Sequence, residues 1–112
     1  MLFRLMPRRI VAALGLAVLS GGCFSADPPS LHSNHAAQKI PAIKQAAEGH
    51  DDKAIPQLVH DLNSDDPADR FYAIEGLQRL TGETFGYLYY QDRPARRESV
   101  MKWRKWLEEN HR

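Results

Sequence analysis

Apolar residues recur at helical spacing along the second half of this chain. Ile40, Ile43 and Ala47 fall at i, i+3 and i+7. Ile55, Leu58, Val59 and Leu62 fall at i, i+3, i+4 and i+7, a complete match to one face of an α-helix. Ala73, Ile74, Leu77 and Leu80 form a third stripe, and Val100, Trp103 and Leu107 a fourth. The punctuation agrees with this division. Asp51 or Asp52 is placed to cap the second helix, and Asp66 followed by Pro67 reads as N-cap and first helical position of the third. Gly82 suits a left-handed stop, and Pro94 opens the fourth helix. Pro41 and Pro56 each follow an isoleucine where the helical pattern is already running, which a first turn or a kink tolerates. Alternation never persists; the short run 87–90 is the one strand candidate. The prediction is an all-α domain over residues 36–112, built as two antiparallel helix hairpins in a short four-helix stack.

The first third of the chain has a different texture. Arg4, Arg8 and Arg9 precede an unbroken apolar run at 10–19, followed by Ser20, Gly21, Gly22 and Cys23. A positive start, a short apolar centre and small residues before a cut define a secretory leader. The run is shorter than the roughly 20 residues that span a bilayer core. Cys23 is the one cysteine of the chain, so no internal disulfide is possible. A cysteine at the cut resembles the lipobox of bacterial lipoproteins. That resemblance implies cleavage after residue 22 and a diacylglyceryl group on the Cys23 thiol, holding the product to a membrane of the cell envelope. Gly21 and Gly22 fit it, whereas Ser20 stands where leucine is usual. An ordinary secretory leader and an uncleaved anchor are the alternatives. Residues 23–35, rich in serine and holding Pro28 and Pro29, read as a flexible tether. His32 and His35 lie in it with no cysteine or acid at ligand spacing, which gives no metal site.

Removing residues 1–22 takes away three arginines and no acids, so twelve bases face fourteen acids and the net charge moves from +1 to −2. A mildly acidic product is not a general nucleic-acid binder. A helical domain of this size has a marginal core and often leans on a partner.

From Ala54 to Leu80 the chain resembles a HEAT repeat. Pro56, Leu58, Val59 and Leu62 match the first helix of that motif, Asp65 and Asp66 its turn, and Arg70, Ala73, Ile74 and Leu77 its second helix. Asp69 departs from it, where the family favours valine. The resemblance implies a stacked helical scaffold that binds proteins. Arg70 also stands out by geometry, because it lies about 20° from the centre of the third stripe. A charge there must be paired or snorkel, so Arg70 is expected to bond Asp61, Asp65, Asp66 or a backbone carbonyl across the turn.

Between the third and fourth helices Phe85, Tyr87, Tyr89 and Tyr90 cluster, and Arg93, Arg96, Arg97, Lys102, Arg104 and Lys105 follow. Tyrosine, tryptophan and arginine are enriched at binding hot spots. Tyr87, Tyr89, Tyr90, Arg96, Arg97 and Trp106 are therefore the expected partner surface, with Trp103 in the core. No nucleophile elbow, phosphate loop or zinc helix is present, and His60 and Asp61, being adjacent, face different ways on a helix. The expectation is a lipid-anchored, non-catalytic interaction adaptor with no cofactor. Its partners would be a membrane through Cys23 and an unidentified protein, but not nucleic acid. A membrane-surface or anionic-polymer contact through the basic last helix is the alternative, and a small envelope enzyme a remoter one.

Overall fold

The structure, a computed structural model, describes residues 27–110. The predicted leader and Cys23 lie outside the described residues. Among the described residues four helices occur in order: α1 (Ala36–Glu48), α2 (Ile55–Asp61), α3 (Pro67–Thr81) and α4 (Arg93–Asn110), with a 3-10 turn at Asp52–Ala54 before α2. The described residues contain no strand, and the run 87–90 is irregular, lying between and within turns at 85–86 and 89–90. The all-α class is as the periodicity requires.

The helix ends follow from local chemistry. Asp51 Oδ1 accepts the Lys53 N–H at 3.1 Å and opens the turn into α2. Asp66 Oδ1 accepts the Ala68 N–H at 2.9 Å, with Pro67 at the first helical position. Gly82, at φ 82°, ends α3 in the left-handed region where a side chain would be strained. Asp92 Oδ1 accepts the Ala95 N–H at 3.1 Å at the start of α4.

α1 departs from the expected stripe. It starts at Ala36, so Pro41 falls inside it while Pro56 sits in the first turn of α2. The two Ile-Pro segments are thus not equivalent. Pro41 has no N–H for the carbonyl of Ala37, an exposed residue whose oxygen water can satisfy. The buried face of α1 is Lys39, Ala42, Ile43, Ala46 and Ala47, whereas Ile40 is only half-buried. The face is rotated because Lys39, not Ile40, continues the i, i+3, i+4, i+7 series.

α3 is the central helix. It packs against both α1 and α2, and α4 packs against α2. The close approach is made at Gly76, where a Cβ would meet Ile43 Cγ2 and Leu58 Cδ1, each at 3.2 Å. Ile43, Leu58, Leu62, Leu77 and Trp103 are fully buried. Each such side chain contributes about 1.5–3 kcal/mol by leaving water. Trp103 closes the α4 end of the core. Its Nε1 donates to the Thr84 carbonyl at 3.0 Å, and its ring meets Phe85 and Trp106 edge-on at 4.8 and 5.8 Å.

The stretch expected to be a tether touches the domain from residue 27 onward. The Ser30 N–H bonds the Gln38 carbonyl at 3.1 Å, Gln38 Nε2 donates to Asp27 at 2.9 Å, and Leu31 packs against the core. Leu31 is a lone apolar residue among polar ones, so it creates no period in the sequence.

Candidate functional site: an aromatic strip and its groove

Residues 82–92 join α3 to α4 and are fixed by side-chain hydrogen bonds to backbone carbonyls. Arg70, buried on α3, donates Nε to the Tyr89 carbonyl at 2.9 Å and Nη1 to the Ser64 carbonyl at 2.7 Å. Of the partners expected for it, the backbone carbonyls prevail and the aspartates do not. Asp66 is occupied as the cap, and Asp65 pairs with Arg93 Nη2 at 2.7 Å on the surface. Loop carbonyls outside any helix suit a guanidinium fork without a second buried charge.

Tyr87 and Arg96, expected on a partner surface, are buried. Both donate to one acceptor, the Leu62 carbonyl at the end of α2: Tyr87 Oη at 2.6 Å and Arg96 Nη1 at 2.9 Å. Arg96 Nε also reaches the Gln91 carbonyl at 2.8 Å. These two side chains therefore hold the loop and α4 against α2. Burial pushes the Tyr87 hydroxyl above the ordinary tyrosine range, and the positive charges of Arg96 and Arg70 partly oppose that rise. The residue types that mark hot spots also serve as internal clamps, and composition does not separate the two uses.

With the loop pinned, four rings line up. Tyr72 and Phe71 meet edge-on at 5.1 Å, Phe71 and Tyr89 at 5.1 Å, and Tyr89 and Tyr90 at 5.4 Å. Tyr90 is 67% exposed, Phe71 is 36% exposed, and Tyr72 and Tyr89 are half-buried. Tyr89 and Tyr90 were expected at a contact surface. Phe71 and Tyr72 were not, because they interrupt the α3 stripe just before Ala73. Their adjacency to Arg70, whose own carbonyl contact brings in Tyr89, is the link that a linear reading does not contain.

The strip borders a groove of about 300 Å³ between α1 and α3. Ile43, Ala47 and Gly76 give it an apolar lining, and Phe71 and Tyr72 give it aromatic edges. Lys44, Glu75 and Arg79 add charges of both signs, with Lys44 Nζ 5.3 Å from the Tyr72 ring centroid. Gly76 serves two ends here: it admits α1 and α2 close to α3, and it keeps the groove open.

A second polar feature joins three helices. Lys39 Nζ lies 3.1 Å from Asp61 Oδ1 and 3.6 Å from Asp69 Oδ2, and all three residues are buried. Gln57 Nε2 donates to Asp61 at 3.0 Å, and the Ser64 hydroxyl donates to Asp69 at 2.9 Å. Asp61 Oδ2 is buried without a hydrogen bond among the described residues. Asp69, the departure from the HEAT pattern, thus belongs to an ion cluster, and that cluster fastens α1 to α2 and α3. Its sequence signal was Lys39 itself, spaced four before Ile43 and seven before Ala46.

Of the other expected surface residues, Arg97 is exposed and Trp106 half-buried, its ring against Trp103. Pro56 is exposed in the first turn of α2. Among the described residues no three of His, Cys, Asp and Glu are grouped to hold a metal, and no helix is long and apolar enough to cross a membrane. No protein-family model matches the chain, and neither a curated protein nor a solved structure matches it.

Proposed function

We propose that this protein is a lipid-anchored, non-catalytic interaction adaptor of the bacterial cell envelope, with its aromatic strip as the partner surface. The observation that carries this reading is the strip Tyr72–Phe71–Tyr89–Tyr90, held in place by Arg70 and flanked by the α1–α3 groove. Tyrosine and phenylalanine supply large contact area with few rotatable bonds, and exposed edges of such rings are what a protein partner buries. The groove beside them is small and mostly apolar, suited to one or two side chains of that partner.

A HEAT-like arrangement supports the same function. In this reading α2 and α3 form one complete hairpin, α1 is a lone helix beside α3, and α4 is a lone helix beside α2. The groove then lies in the layer of second helices. Stacked-helix scaffolds present extended surfaces of this kind to partners. The leader pattern and Cys23 supply the anchor in this proposal, with the helical domain outside the cytoplasm.

Two measurements test it. Mass spectrometry of the purified native product is expected to find residue 23 as the acylated first residue; an intact Met1 contradicts the anchor. Crosslinking in intact membranes is expected to yield a defined adduct that Phe71→Ala with Tyr90→Ala removes. An adduct unchanged by that pair contradicts the assigned surface.

A further inference from the structure

α4 and the turn after α2, at Asn63, form a second cleft, of about 400 Å³, which the aromatic strip does not share. Asn63, Arg93, Arg97, Val100, Met101 and Arg104 line it. Arg93, Arg97 and Arg104 lie within about 40° of one another on the helix, at roughly 100° per residue. They form a basic flank beside Met101, which is 62% exposed. The chain already shows what this flank accepts. The carboxylate of its own Asp65 rests on Arg93 Nη2 at 2.7 Å, at the N-terminal end of the flank. Arg97 and Arg104 are exposed and make no ion pair among the described residues. The neighbouring ammonium of Lys102 is taken by Glu98 at 3.3 Å.

We infer that this cleft binds an acidic protein segment that places two carboxylates on Arg97 and Arg104 and an apolar side chain on Met101. Arg97 and Arg104 are seven residues apart, which is about 10 Å along the axis at about 1.5 Å per residue. A partner helix with acids at i and i+7 and a leucine at i+4 reproduces that spacing. Arginine forks match carboxylates bidentately, which lysine cannot do. An anionic membrane plane fits less well. Asn63 also borders a cleft whose exposed carboxylates are Asp65 and Asp66. Asp65 touches the flank at Arg93, inside the Debye length of about 8 Å at physiological salt. A broad anionic surface would meet those acids, whereas a narrow segment along α4 would not. This inference rests on the α4 flank alone and stands if the aromatic strip proves to bind nothing.

The test uses the full chain in a neutral detergent and a fluorescent helical peptide with Glu at i and i+7 and Leu at i+4. A Gln-for-Glu peptide and vesicles of phosphatidylglycerol in phosphatidylcholine are the comparison probes. The Glu peptide is expected to bind about tenfold tighter than the Gln peptide, in a salt-sensitive way, as two exposed charge pairs allow. Arg97→Glu with Arg104→Glu is expected to abolish that preference and to bind a Lys peptide instead. Both positions are exposed, and unchanged circular dichroism would confirm the fold of the variant. Equal binding of Glu and Gln peptides overturns the inference. So does a preference that survives the double substitution. Binding to the anionic vesicles that the double substitution removes, with no peptide preference, assigns the flank to a membrane and also overturns it.

Discussion

The Leu62 carbonyl accepts from both Tyr87 and Arg96, and this shared acceptor makes the α3–α4 loop part of the core. Ionising Tyr87 would remove one donor and leave a buried anion. The folded chain therefore holds that proton more tightly than the unfolded chain, where tyrosine titrates near about pH 10. The stability it confers is complete below that pH and is lost as pH rises through the higher folded value. Tyr87→Phe is expected to lower stability at pH 7 by about 1 kcal/mol. It should also flatten the loss between pH 9 and 11 (~2 units around the tyrosine range) in urea titrations. A steeper alkaline loss in the variant would contradict the assignment. His50 makes the opposite case. It sits at φ 52° in the turn after α1, exposed, where an L side chain is strained. His50→Gly is expected to add about 0.5 kcal/mol of stability after the entropy of the freer unfolded chain is counted, read as a higher urea midpoint. At this scale the sequence was legible where one residue has one task, as with the Asp66 cap and the Gly82 stop. It was not legible at Tyr87 and Arg96, because a clamp and a hot spot require the same side chains.

Helices show a different balance. Periodicity alone located all four, since each has a buried face and an exposed one. It misjudged the face of α1, because an ion cluster rather than an apolar stripe sits at one end of it. Lys39 is polar and adds nothing to an apolar stripe, although its spacing places it inward. Lys39→Met is expected to cost about 3 kcal/mol, since it strands Asp61 and Asp69 in the interior. Adding Asp61→Leu is expected to recover part of that loss, because it removes one of the two stranded charges and leaves Asp69 with the Ser64 hydroxyl alone. Thermal unfolding of the single and double variants measures both; a double variant no better than the single would contradict the account of the cluster. Gly76 tests the approach of α1 and α2 to α3. Gly76→Ala is expected to be near neutral, with about 1 kcal/mol of helix propensity set against two 3.2 Å contacts. Gly76→Leu is expected to destabilise by about 1–3 kcal/mol through overpacking, read from the same unfolding curves.

At the scale of the whole molecule, the described residues form one core from Leu31 to Leu107 that carries two different surfaces. The α1–α3 groove has aromatic edges, and the cleft along α4 is basic. The long-range part of this arrangement was invisible in the sequence. Phe71 and Tyr89 are separated along the chain and meet only because Arg70 draws the Tyr89 carbonyl to α3. In the proposed function the anchor at Cys23 holds this scaffold at a membrane and the strip holds its partner. The most direct measurement is photo-crosslinking in intact cells, with a benzophenone side chain at Tyr90 in one strain and at exposed Lys53 in another. A discrete adduct from position 90, absent from position 53 and lost when Phe71→Ala is added, is the predicted result. No adduct at position 90, or the same adduct from both positions, would contradict the claim that the aromatic strip is where this protein meets its partner.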